Sequence, residues 1–178
     1  MSEIAEWNDA IGYNEFLKNA RENVELMKAR YTDLSINEDE EATLKSIQNP
    51  VKILVVTTDR CNDTAGALPV LARMVSISSK LQLRILDSDK HAKFHQQFRV
   101  NGKRKTPVVL FLSPDQNELL RWVERPNAVY KVVNELNLSM DDRRGTLRKL
   151  YSDPEILRQV LQELTHLLVR ADLLLGRK

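Results

Sequence analysis

Apolar residues recur along this chain with two different periods, and the change of period divides it. From Tyr13 to Tyr31, the residues Phe16, Ala20, Val24, Met27 and Tyr31 fall on one face, which predicts a single amphipathic helix. Asn37 followed by Glu40 has the form of a helix start, in which the amide side chain takes an orphan backbone donor and the acid reaches back. The short helix that follows, carrying Ala42, Leu44 and Ile47, should end near Asn49-Pro50. The period then shortens. Val51-Lys52-Ile53-Leu54-Val55-Val56 is a β-branched apolar run that predicts a buried strand. Asn62 to Ser79 predicts a helix with Pro69 inside it, and Leu81 to Leu86 predicts a second strand.

Beyond residue 86, Ser88 is positioned to cap a helix running to about Phe98. Residues 99–105 read as a basic loop with Asn-Gly turn chemistry. Val108–Leu112 and Glu118–Glu124 predict two strands, and the Pro-Asp-Gln-Asn turn between them suits an antiparallel hairpin. Pro126 suits the first turn of a helix reaching Leu136. Ser139 with Asp142, and Ser152 with Glu155, predict two further helix starts. In the last helix Ile156, Val160, Leu164, Leu167, Leu168 and Ala171 make a broad apolar stripe. The expected order is helix, helix, β-α-β-α-β-β-α, helix, helix. It divides into an N-terminal helical extension (1–49), an α/β domain (50–137) and C-terminal helices packed on it (138–178).

Composition narrows the chemistry. The 178 residues carry 27 Lys+Arg against 25 Asp+Glu, and this balance supplies no field that would imply nucleic acid or an anionic membrane. No stretch approaches a membrane-spanning length, and the start lacks the pattern of a signal peptide, so a cytoplasmic protein is expected. One cysteine forbids an internal disulfide and leaves too few thiolates for a Cys-based zinc site. His91 and His95 are one turn apart, yet no third ligand accompanies them, so no metal and no cofactor is expected. A solvated helix face explains these histidines, together with Asp87 and Asp89.

A βαβ unit followed by a helix, a hairpin and a closing helix resembles the thioredoxin fold: a central mixed sheet of about four strands flanked by helices, here with helical extensions at both ends. Local residues strengthen the resemblance. Thr57-Thr58-Asp59-Arg60-Cys61-Asn62-Asp63-Thr64 lies at a strand-to-helix junction, where thioredoxin-like proteins keep their redox motif. Lys105-Thr106-Pro107-Val108 opens a strand, where that superfamily has a cis-proline facing the motif. Tyr13–Leu17, Ala67–Leu71, Leu83–Asp87, Arg121-Trp122 and Arg125-Pro126 are similar to a branch of small bacterial proteins with a Trp-Cys-Gly-Asp-Cys-type motif.

The departures define the question. The second cysteine of the motif is Thr64, the preceding Trp is Arg60, and the buried acid six residues before the first cysteine is Val55. Dithiol turnover needs a second thiol to release the mixed disulfide, so ordinary thioredoxin turnover is ruled out for the isolated chain. Two readings stay open. In one, Cys61 is a monothiol nucleophile forming mixed disulfides with a protein client or a low-molecular-weight thiol. The amides after it and a hydroxyl from Thr64 steady the sulfur, and Thr106-Pro107 present backbone to an extended substrate. Arg60, Asn62 and Asp63 complete the binding edge. At a helix start the backbone favours a thiolate, while Asp59 and Asp63 oppose it. In the other reading, the same groove only binds. The Leu173-Leu174-Leu175 end of the last helix offers a homodimer surface if it is exposed.

Overall fold

The computed structural model describes residues 4–176. Four helices precede the first strand: α1 (Glu6–Asp9), α2 (Tyr13–Asn19), α3 (Val24–Asp33) and α4 (Glu38–Lys45). Then come β1 (Val51–Thr57), α5 (Asn62–Ile77), β2 (Leu81–Asp87), α6 (Ala92–His95) with a 3-10 turn at Gln96–Phe98, β3 (Val108–Leu112) and β4 (Glu118–Val123). The chain closes with α7 (Asn127–Leu136), α8 (Met140–Leu150) and α9 (Pro154–Leu175). The strands form one mixed sheet in the order β2-β1-β3-β4. β1 runs parallel to β2, from Val51 opposite Leu81 to Thr57 opposite Asp87, and antiparallel to β3. β3 and β4 form the expected antiparallel hairpin.

Because side chains alternate across a strand, the two faces of β1 feed two separate cores. Ile53 and Val55, with Val109, Phe111 and Ile85, pack under α5 and α9 in the larger one. Leu54 and Val56, with Val108, Leu110 and Leu86, meet Trp7, Phe94 and Phe98 in the smaller. Covering both faces is what turns β1 into a continuous apolar run instead of an alternating one. The helical extensions enter the larger core directly: Met27, Leu44 and Ile47 from one end, Leu147, Tyr151, Val160 and Leu164 from the other.

Local chemistry moved several boundaries. The helix expected from Tyr13 to Tyr31 is two helices: α2 ends at Asn19 with Ala20 extended (ψ 143°), and Asn23 takes the left-handed conformation (φ 59°) immediately before α3. The break is docked on the loop ahead of Cys61: the amides of Arg21 and Glu22 donate to Asp59 Oδ2 at 2.7 and 3.1 Å. Asn23 Nδ2 donates to the Asp59 carbonyl at 2.8 Å. Those two amides hold the Asp59 carboxyl below its ordinary range, outweighing the opposing effect of partial burial. The Asn37/Glu40 capping box forms as expected.

Ser88 does not cap the next helix. It is buried with its amide on the Thr57 carbonyl, and Asp87 Oδ1 takes the amides of Asp89 and Lys90 instead. His91 precedes α6, while His95 is buried with Nε2 2.8 Å from the Lys105 carbonyl oxygen. Asp153, rather than Ser152, caps α9, with Pro154 in its first turn; the Ser152 hydroxyl donates back to Arg148. Of the stripe on α9, Ile156, Val160, Leu164, Leu168 and Ala171 are buried, and Leu167 is half-buried. Leu173 and Leu174 at its end are exposed. Among the described residues, no helix is long and apolar enough to cross a membrane.

Candidate functional site

β1 ends at Thr57, a short loop turns, and α5 begins with Cys61 in the N-cap position and no side chain capping the helix. An extended backbone at Cys61 (ψ 124°) is the usual cap conformation. The thiol is half-buried and donates to the Thr106 carbonyl oxygen, with Sγ at 3.3 Å. The next peptide bond, Thr106-Pro107, is cis. The structure therefore brings together three of the residues singled out from sequence: Cys61, Thr106 and Pro107.

The other four point elsewhere. Thr64 is fully buried, and its hydroxyl pairs with that of Thr57 on β1. Its expected hydrogen bond to the sulfur is absent among the described residues, because the hydroxyl faces the strand instead of the helix start. Arg60 is exposed and forms an ion pair with Asp89. Asn62 Oδ1 accepts from Arg148 Nε at 3.2 Å, which turns it toward α8. Asp63, expected at the binding edge, is buried.

Asp63 is the centre of a polar cluster that the sequence did not announce. Arg125 Nη2 donates to Asp63 Oδ2 at 2.7 Å, and the Tyr151 hydroxyl donates to Oδ1 at 2.7 Å. Arg125 also reaches Glu124 Oε1 at 3.0 Å, where Lys105 Nζ arrives at 3.1 Å. The Tyr130 hydroxyl donates to Glu124 Oε2 at 2.6 Å. Two carboxylates and two cations balance, as burial requires. Burial pushes Asp63 up to about 6, although Arg125 and the Tyr151 hydroxyl favour its charged form. At neutral pH it stands ionised beside Arg125. The guanidinium, for which burial alone would be unfavourable, is held above its ordinary range by Asp63 and Glu124. Burial and the adjoining acids drive the Tyr151 and Tyr130 phenols upward, so both remain hydrogen-bond donors.

Two local features permit the cluster. Glu124 adopts φ 71°, which ends β4 one residue before the predicted boundary and turns its carboxylate inward. Gly66 leaves the space occupied by the Tyr151 ring, which a Cβ at that position would overlap. Arg125 stood within a stretch noted for its resemblance, but without a role. Tyr151 carried no signal at all, since it comes from 88 residues beyond Asp63 and reaches it only through the packing of α8 against α5.

A four-stranded β2-β1-β3-β4 sheet flanked by helices, with a half-buried thiol at a helix start beside a cis-proline, places the chain in a class, the thioredoxin-fold proteins. Residues 10–143 match the thioredoxin family model Thioredoxin_9, and the chain belongs to that family. A protein of unknown function from Pseudomonas aeruginosa has a similar structure, with a TM-score of 0.74 at 20% identity, covering 96% of this chain and 99% of its own. An HIV epitope-scaffold is also similar, with a TM-score of 0.70 at 19% identity over 93% of this chain and 96% of that one. At that coverage the shared fold includes the helices beyond residue 143. A search of curated proteins finds no match.

Proposed function

We propose that this protein is a monothiol redox protein that forms mixed disulfides through Cys61 and has no dithiol turnover of its own. The carrying observation is the placement of the thiol: half-buried, uncapped at the start of α5, and 3.3 Å from the carbonyl of Thr106 next to Pro107. The two acids that would oppose a thiolate are both engaged elsewhere, Asp59 with the amides of Arg21 and Glu22, Asp63 with Arg125 and Tyr151. The Thr106 amide has no partner among the described residues, which leaves a main-chain donor for an extended client.

In the step itself, Cys61 Sγ as thiolate attacks one sulfur of a client disulfide. A new S–S bond forms, the old one breaks, and the departing sulfur leaves as a thiolate that takes up a proton. Since position 64 is threonine, an external thiol must release the client. Thr64 acts as a support for the turn through Thr57, rather than as a chemical group. Cytoplasmic residence is consistent with a free thiol.

Iodoacetamide alkylation followed across pH, with glutathione disulfide as a trapping agent and mass spectrometry as readout, tests the proposal. Alkylation faster than a free cysteine at neutral pH, and a single mixed-disulfide adduct lost in Cys61→Ser, are expected. Alkylation no faster than a free cysteine, with no adduct, leaves a groove that binds without thiol chemistry.

A further inference from the structure

The segment between α6 and β3 folds into a two-residue hairpin. Val100 and Lys103 exchange backbone hydrogen bonds at 2.9 and 3.1 Å, and Asn101 and Gly102 both take positive φ, 49° and 72°. That pair of conformations is what such a hairpin favours, so the tip is a defined structure and not a loose loop. Arg99, Lys103 and Arg104 are all exposed on it, and none forms an ion pair among the described residues. Arg99 reaches only the neutral Gln96 side chain.

The acids around this edge are already engaged. Asp89 is paired with Arg60, Glu124 with Lys105 and Arg125, Asp63 with Arg125, and Asp87 binds two backbone amides. Positive charge is therefore left uncompensated on one narrow surface of a chain whose overall charge is only +2. The surface is anchored beside the thiol, because His95 Nε2 bonds the Lys105 carbonyl and Cys61 bonds the Thr106 carbonyl. Arg104 is two residues from Thr106, within about 7 Å along the chain.

We infer that this hairpin is a docking surface for an acidic segment of a protein partner, which it holds beside Cys61 and Thr106. This rests on the Cys61 reading only for what happens to the partner's disulfide after docking. A peptide fits better than a polynucleotide or a lipid surface. The charges occupy a short hairpin with no aromatic side chain for base stacking, while exposed Val100 adds an apolar contact and the Arg104 and Thr106 amides are unpaired among the described residues.

The test uses full-length Cys61→Ser protein and a fluorescent Glu/Ser peptide, compared with Gln/Ser and Lys/Ser peptides by anisotropy at low and physiological salt. The Glu/Ser peptide should bind about 10-fold more tightly than the neutral one, weaken as salt rises, and lose that advantage in Lys103→Glu/Arg104→Glu. The milder Lys103→Gln/Arg104→Gln pair should lose part of it with an unchanged circular dichroism spectrum. Equal binding of all three peptides, indifference to both variants, or a preference for single-stranded oligonucleotide or phosphatidylserine vesicles over the Glu/Ser peptide overturns the inference. The two proposals separate with wild-type protein and disulfide-bearing forms of the same peptides. Trapping that ignores peptide charge removes the docking surface and keeps the monothiol. Tight acidic binding with no trapping does the reverse.

Discussion

Cys61 and Asp63 stand two residues apart at the same helix start and are held in opposite ways. Cys61 is half-buried and makes one sulfur hydrogen bond to a backbone carbonyl. Asp63 is almost fully buried and makes direct hydrogen bonds to an arginine and a tyrosine from two other parts of the chain. Reactive groups need access and few competing contacts, whereas buried charges need every partner they can find. At this turn the acid is clamped by two side chains from elsewhere in the chain, while the adjoining thiol is held by one backbone carbonyl.

The sharpest way to break that contrast is Arg125→Met. It removes the cation from a buried pair and should destabilise the fold by about 3–5 kcal/mol in urea unfolding, because Asp63 is left without its counter-charge. Next comes the pH dependence. Asp63 rises from 3.8 to about 6 on folding. Between those values the folded chain keeps a proton that the unfolded chain has lost, so this group makes stability fall as pH rises through that window and leaves it flat above. The displacement corresponds to about 3 kcal/mol. Asp63→Asn should remove this slope, seen by comparing unfolding at about pH 4 and about pH 7 with wild type.

Smaller again is Gly66→Ala, which drives a Cβ into the Tyr151 ring and should cost about 1–3 kcal/mol. Combined with Tyr151→Phe it should cost less than the sum, since both act on the same contact to Asp63; strict additivity in a double-mutant cycle would contradict the geometry. Smallest is Cys61→Ser, expected to change stability by about 0.5 kcal/mol while abolishing the mixed-disulfide adduct. A loss comparable to that of Arg125→Met would show the thiol to be structural and erase the difference between the two positions.

Much of the architecture was legible. The β1 run, the alternation in β2, the hairpin of β3 and β4 and the stripe on α9 each carry their period in adjacent residues, so the elements and their order could be read directly. What failed were boundaries set by partners distant in sequence. The interruption at Asn23 depends on Asp59, the displaced start of α6 depends on Asp87 and Ser88, and the early end of β4 depends on the inward turn of Glu124. At the candidate site, Cys61, Thr106 and Pro107 were readable because the two short stretches that carry them, at a strand-to-helix corner and a strand start, are the ones that resemble the thioredoxin family. The fate of Asp63 was not, because an acid beside a cysteine looks the same in sequence whether it faces solvent or an arginine 62 residues away.

Local periodicity was enough to give the order of strands and helices, the stretches around Cys61 and Pro107 carried the resemblance to the thioredoxin fold, and a residue count left the single thiol without an internal partner. Which side chains surround that thiol is set by contacts between segments distant in sequence. The tertiary structure turned Thr64 toward β1, moved Asp63 from the binding edge into the interior, and brought Tyr151 from the C-terminal helices beneath α5. The reason is that burial and charge pairing depend on what packs against a residue, and in this fold those neighbours come from opposite ends of the chain.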